Sequence, residues 1–209
     1  MTFIELIVVL GIFAAMSGVI LFNFGGFTSN VTLQNLANQI ALQIKSAQTD
    51  AINGKESSIF IGPCFDNNGT QLPSCRPSYG VYFDASISAL PANHKKFVYF
   101  ADVDNNKDYN TSGACGSGGS IIECKSEIEI NTSDVISKIC VYNGTTCSSS
   151  ISPLSITFTR PFPDATFYQG SLVTTAKNVQ IEITSAKGLQ KHIVVWKTGQ
   201  IEIKGGPII

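Results

Sequence analysis

The sequence predicts an α+β protein in which a long N-terminal α-helix packs on a C-terminal antiparallel β-sheet head. Three observations support this: an unbroken apolar run at residues 1–24, a stretch with helical periodicity at 25–55, and short strand-like runs separated by turn residues at 56–209. These ranges are the predicted segments of the chain: an apolar helix, its amphipathic continuation, and a β-rich globular head.

The apolar segment contains a single charged residue, Glu5. A helix of this length, at about 1.5 Å per residue, is long enough to cross the roughly 30 Å hydrocarbon core of a membrane. A carboxylate at the membrane midplane costs roughly 2.5–3.5 kcal/mol, which favours a functional role with a positively charged partner. Two alternatives stay open: an ordinary signal anchor, and a Glu5 side chain that reaches the headgroup region from its place near the helix end.

The second segment has apolar residues at a spacing of 3.6, with polar residues on the other face. Ser29 or Asn30 is a candidate cap for a helix that restarts after melting or a kink at Gly25-Gly26. Asn53-Gly54 is the predicted end. A continuous helix to this point would be roughly 80 Å long. The apolar positions are Val31, Leu33, Leu36, Ala37, Ile40, Ala41, Ile44, Ala47 and Ala51.

The head is predicted to consist of short strands separated by long loops rich in Gly, Ser, Asn and Pro. The predicted strand at 178–183 alternates polar and apolar residues, and the two strands that follow it are joined by a tight turn at Thr198-Gly199, so the three are predicted to form a meander. The predicted strands are 58–61, 79–83, 96–100, 128–130, 138–142, 155–158, 178–183, 191–196 and 200–203.

Composition limits the function classes. The chain has 209 residues, of which 14% are charged, and a net charge of −1, so overall charge gives no argument for a nucleic-acid or acidic-membrane partner. Neither His94 nor His192 neighbours a nucleophile motif, and no glycine-rich phosphate loop links a strand to a helix. We therefore predict that the protein is not an enzyme.

Six cysteines, all in the head, are predicted to form disulfides. Their spacings exceed those of zinc ligands, and the two histidines lie elsewhere. Six cysteines allow 15 connectivities. Sequential pairing is preferred because each pair then encloses one loop. The preferred pairs are Cys64–Cys75, Cys115–Cys124 and Cys140–Cys147.

The stretch 102–110 is a candidate Ca²⁺ loop, because it places oxygen-bearing side chains at alternate positions. Lys107 stands where an EF-hand has its turn glycine, and Gly113 stands where the bidentate glutamate would be, so Glu123 is a candidate replacement ligand. The alternative is a turn whose side chains hydrogen-bond to its own backbone. No other cofactor is predicted. The candidate ligands are Asp102, Asp104, Asn106 and Asp108.

The residues Thr2-Phe3-Ile4-Glu5-Leu6-Ile7-Val8-Val9-Leu10 resemble the start of a mature type IV pilin or type II secretion pseudopilin. In that family the fifth mature residue is glutamate, and a peptidase removes a short leader before the new first residue is N-methylated. The resemblance implies that Met1 is this processed terminus, although the family usually has phenylalanine there. Phe22 also replaces a proline that many pilins have. The layout of the head is similar to that of GspH/FimT-like pilins.

The resemblance implies a structural subunit that is first an inner-membrane protein. The pilus assembly machinery would then polymerise identical subunits into an extracellular filament. Such filaments serve adhesion, twitching motility or DNA uptake. The Met1 amine of a neighbouring subunit would pair with Glu5 and set the register. The alternative is a minor pilin, or a pseudopilin in a periplasmic filament.

Two weaker signals in the sequence concern the surface of the head. Asn68, Asn110, Asn131 and Asn143 begin Asn-x-Ser/Thr triplets and are glycosylation candidates. The C-terminal region carries more lysines than acidic residues, which makes DNA a candidate partner for a minor pilin, although lysines also protect the edges of sheets. These lysines are Lys177, Lys187, Lys191, Lys197 and Lys204.

Overall fold

A computed structural model describes residues 2–56, 76–84, 95–109, 115, 123–144, 147–149 and 153–208, with the backbone alone for 19–25 and 148–149. Over these residues the chain forms an α-helix followed by strands in two antiparallel sheets. The helix packs on the sheets, so the predicted α+β class is confirmed. The predicted strand at 58–61 lies outside the described residues.

Helix α1 (Phe3–Ile52) has 50 residues and extends for about 75 Å. Its backbone remains helical through Gly25-Gly26, so the break and the restart at Ser29 or Asn30 are not observed. Each glycine costs about 1 kcal/mol in a helix, but a second helix would need a new and unfavourable nucleus, so continuation is preferred. The helix ends as predicted, with Asn53 as C-cap and Gly54 at φ +60°.

The strands form two five-stranded sheets. The first sheet has the order β3-β2-β1-β6-β7, and the second has the order β10-β9-β8-β4-β5. Their bounds are β1 (Ser78–Phe83), β2 (Lys96–Asp102), β3 (Cys124–Glu129), β4 (Val135–Tyr142), β5 (Cys147–Ser149), β6 (Leu154–Phe158), β7 (Ala165–Tyr168), β8 (Asn178–Thr184), β9 (Gln190–Trp196) and β10 (Ile201–Gly205).

The predicted C-terminal meander is present as β8, β9 and β10, which are neighbours in the second sheet. Its final turn has Gly199 at φ +81°, and the Trp196 amide donates to the Gln200 carbonyl at 2.8 Å. Strands β1, β2, β4 and β6 also coincide with predicted strands, whereas β3 begins four residues before its predicted strand. Strands β5 and β7 have no sequence prediction.

The second half of α1 packs on both sheets, against β1 and β6 of the first and β8, β9 and β10 of the second. The helix and both sheets therefore share one core. A fully buried leucine or isoleucine in such a core contributes roughly 1.5–3 kcal/mol. The buried apolar residues of the helix are Leu33, Leu36, Ala37, Ile40, Ile44, Ala47 and Ala51.

Polar contacts fix the last turns of the helix on the head. The buried Gln48 amide donates to the carbonyls of Pro163 at 2.8 Å and Gly199 at 3.1 Å. The Asp50 carboxylate accepts a hydrogen bond from the Tyr99 hydroxyl at 2.5 Å and pairs with Lys55 at 2.7 Å. Because these partners come from both sheets, the helix cannot rotate about its axis without breaking several of them.

We expect Gly199→Ala to destabilise the head more than Gly188→Ala. Both glycines have left-handed backbone, φ +81° and +77°, so both changes introduce strain of about 1–2 kcal/mol. A methyl group at 199 also collides with the Pro163 carbonyl and the Gln48 amide, whereas no atom lies within 4 Å of one at 188. Chemical denaturation measures the difference, and equal losses would contradict the packing argument.

Candidate functional site: the exposed apolar helix and the acidic loop

The first half of α1 presents apolar side chains that no other described residue covers. Their exposed fractions run from 47% at Leu6 to 81% at Phe3. Monomeric soluble proteins rarely expose a contiguous apolar surface of this extent, and such surfaces mark interaction sites. We call this surface the apolar half; its exposed residues are Phe3, Ile4, Leu6, Ile7, Val8, Val9, Leu10, Ile12, Phe13 and Met16.

The hydropathy of the described residues identifies no helix long and apolar enough to cross a membrane.

Glu5 lies in the first turn of α1 and takes part in its N-terminal cap. The Thr2 backbone N–H donates to Glu5 Oε2 at 3.3 Å, as in a capping box. A negative charge here also interacts favourably with the helix dipole. The spacing Thr-x-x-Glu is the sequence signature of this cap, which our sequence analysis missed. Met1, the predicted partner of Glu5, lies outside the described residues.

We use the name acidic loop for residues 102–109, at the end of β2, together with Glu123, which directly precedes β3. The acidic loop brings together the carboxylates of Asp102, Asp104 and Glu123, whose ligand atoms all lie within 4.8 Å of one another. Glu123 is fixed by two backbone contacts: its carbonyl accepts from the Ala101 amide at 2.8 Å, and its Oε1 accepts from the Val103 amide at 3.2 Å. Two of the four predicted ligands therefore meet, together with the candidate replacement Glu123.

The other two predicted ligands, Asn106 and Asp108, form the turn itself. Asn106 donates to Asp104 Oδ2 at 2.8 Å and accepts from the Asp108 amide at 2.7 Å. Asp108 Oδ1 accepts from the Ser155 hydroxyl at 2.6 Å and the Tyr109 amide at 2.9 Å. This part of the loop thus follows the alternative reading, in which side chains hydrogen-bond to the nearby backbone.

Asp102 is the buried member of the acidic loop, with a side chain that is 0% exposed. Its Oδ2 accepts from Lys107 Nζ at 3.3 Å, while its Oδ1 is buried without a hydrogen-bond partner. Burial raises the pKa of Asp102 to about 6, and the nearby Lys107 charge opposes this rise only in part. Lys107 Nζ also contacts Ser78 Oγ and Asn105 Oδ1.

The loop is attached to the outer face of the first sheet. Tyr109 packs on Tyr82 and Phe100, with ring centroids 5.0 and 5.4 Å away. A disulfide joins Cys115 to Cys124 at the start of β3, with Cα atoms 5.1 Å apart. The two segments that carry the carboxylates are therefore held in place by packing and by a covalent link.

Within the part of the chain that the structure describes, two of the three predicted disulfides are present. Besides Cys115–Cys124, a bond between Cys140 and Cys147 joins β4 to β5, with Cα atoms 5.6 Å apart. Sequential pairing is confirmed for these four cysteines. Cys64 and Cys75 lie outside the described residues.

The C-terminal lysines contact different parts of the protein. Lys191 Nζ donates to Gln34 on α1, Lys197 Nζ donates to the Thr174 carbonyl at 3.2 Å, and Lys204 pairs with Glu202 at 3.2 Å. Of these three lysines, Lys204 alone contacts a carboxylate, whereas Lys191 and Lys197 donate to neutral oxygens and keep their positive charge.

The glycosylation candidates are only partly described. Asn131 and Asn143 are exposed, whereas Asn68 and Asn110 lie outside the described residues.

Comparisons with protein-family models, curated proteins and solved structures find no match for this chain.

We expect paired Cys140→Ser and Cys147→Ser substitutions to lower the free energy of unfolding by about 2 kcal/mol, because the crosslink closes a loop with a sequence separation of 7. The matched Cys115→Ser and Cys124→Ser pair, with a separation of 9, should lose a similar amount. Denaturation without reductant measures both. A variant as stable as the wild type would contradict the stabilising role of that bond.

Proposed function

We propose that this protein is a structural subunit that polymerises through the apolar half of α1 into an extracellular, type IV pilus-like filament. The observation that carries the proposal is the difference in burial between the two halves of α1. Its second half is buried in the head, while its first half extends the same helix and exposes ten large apolar side chains. Such a surface requires a partner, and a second copy supplies an equally apolar one.

Repeated packing of identical helices, each displaced along a common axis, accounts for a filament. A contact between different faces of two copies does not close, so it continues indefinitely and produces an open helical assembly. The heads would then surround a core of apolar helices. The continuous backbone from Phe3 to Ile52 supports this arrangement, because it keeps each head at a fixed distance from the core.

Glu5 gives the proposed assembly its register. A carboxylate that enters an apolar core is costly unless an opposite charge or several hydrogen bonds accompany it. A charge-assisted hydrogen bond from the Met1 amine of the next subunit would satisfy this need. Subunits that are displaced by one turn would leave both charges unpaired, so the pair would select a single displacement.

The proposal includes an inner-membrane stage before assembly, with the head outside the cytoplasm. The two disulfides support a head in an oxidising compartment. Filaments of this kind serve adhesion, motility or DNA uptake. A minor pilin or pseudopilin would use the same helix, and its scarcity in purified filaments would distinguish it from a major subunit.

We expect Glu5→Ala and Glu5→Gln both to reduce the filament yield at least tenfold while the subunit remains folded and present in cells. Glutamine is accepted at this position of a capping box, so Glu5→Gln keeps the local cap and removes only the charge. The measurement is the amount of this chain in filaments sheared from the native cells, relative to the total cellular amount.

The two variants separate the two roles of Glu5. A normal yield for Glu5→Gln with a low yield for Glu5→Ala would show that the residue acts only as a helix cap, which contradicts the charge pair. A normal yield for both would refute a role of Glu5 in assembly. Thr2→Ala, which alters the cap residue and leaves the charge, is the matched control and should retain filaments.

A further inference from the structure

We propose that Asp102, Asp104 and Glu123 bind one Ca²⁺ ion at the edge of the first sheet. This inference is independent of the filament proposal, because it concerns the head alone. It also differs from the ligand set that the sequence spacing suggests, since Asn106 and Asp108 are replaced by Glu123, which lies 15 residues beyond Asp108 in the sequence.

The spacing of the three carboxylates suits calcium. Two oxygens bound to one Ca²⁺ at about 2.3–2.6 Å lie at most about 5 Å apart. The ligand atoms of Asp102, Asp104 and Glu123 lie within 4.8 Å of one another and so satisfy this limit. Mg²⁺ binds oxygens at about 2.0–2.1 Å, which requires a separation below about 4.2 Å and a contraction of the cluster.

A second, independent observation is the state of Asp102. Its side chain is fully buried, yet Oδ1 has no hydrogen-bond donor. Buried polar atoms without partners are rare because each costs free energy that water would have supplied. A cation that Asp102 binds through Oδ1 would give this atom the partner that it lacks.

The formal charge of the cluster also favours a divalent cation. Among the described residues, the three carboxylates carry a formal charge of −3, and Lys107 Nζ, which contacts Asp102 through Oδ2, contributes +1. The formal charge of this group, −2, is opposite to that of one Ca²⁺. The ligands are all oxygens, with no thiolate or imidazole, and this favours a hard cation over zinc or copper. Lys107 competes with the ion for Asp102 and weakens its binding.

The test uses the full chain, purified in detergent with its disulfides intact. We expect millimolar Ca²⁺ to raise the melting temperature of the head by several degrees and EGTA to reverse the rise, because ligands that bind only the folded state stabilise it. Asp102→Asn and Glu123→Gln should lose the rise. Asp108→Asn, in the same loop but outside the cluster, is the matched control and should keep it.

The outcomes discriminate between the two ligand sets. The proposal is overturned if Ca²⁺ does not shift the wild-type melting temperature, if the shift persists in Glu123→Gln, or if Asp108→Asn alone abolishes it. Should Asp102→Asn unfold the head, Glu123→Gln still distinguishes the two ligand sets, because Glu123 is held by its own backbone contacts.

Titration calorimetry of Lys107→Met should show that the affinity for Ca²⁺ is raised roughly tenfold. Unchanged or weaker binding would refute the competition between Lys107 and the ion for Asp102. None of these results depends on filament formation.

Discussion

The burial of the second half of α1 is the interaction on which the rest of the structure depends. Its apolar face contacts both sheets, so the helix and the two five-stranded layers share one core. Among the described residues, the apolar half of the same helix has no such partner and remains exposed. One continuous helix therefore both stabilises the head and carries an uncovered apolar surface.

Much of this architecture could be predicted from the sequence, because periodicity is a local signal. The helix end at Asn53-Gly54 and the final meander are confirmed. Strand β7 was missed because only four residues, following Pro161 and Pro163, form it. Strand β5 is shorter still and depends on pairing with β4 beside the Cys140–Cys147 bond. Both strands are stabilised by tertiary contacts rather than by local propensity.

A local sequence pattern predicts only part of the acidic loop. Asp102 and Asp104 follow β2 directly, so a local pattern finds them. Glu123 joins them only because β3 pairs with β2, which places Phe100 opposite Cys124 and brings Glu123 beside Ala101. The sequence analysis could name Glu123 only as a candidate replacement ligand, because no spacing within the loop shows which residues it meets. The alternation through Asp108 suggested a longer ligand set. Asn106 instead accepts a hydrogen bond from the Asp108 amide within the turn, and Asp108 accepts one from the Ser155 hydroxyl of β6.

The helix cap that Glu5 forms is compatible with the assembly role that we propose for this residue. A carboxylate offers about four acceptor sites on two oxygens, and the cap to the Thr2 amide engages Oε2. An ammonium group from a neighbouring subunit can therefore approach while the cap persists. The cap orients the carboxylate over the helix N-terminus, so less side-chain entropy would be lost in the proposed assembly. The capping box would then position the charge that selects the register, and helix formation and the proposed polymerisation would favour the same residue.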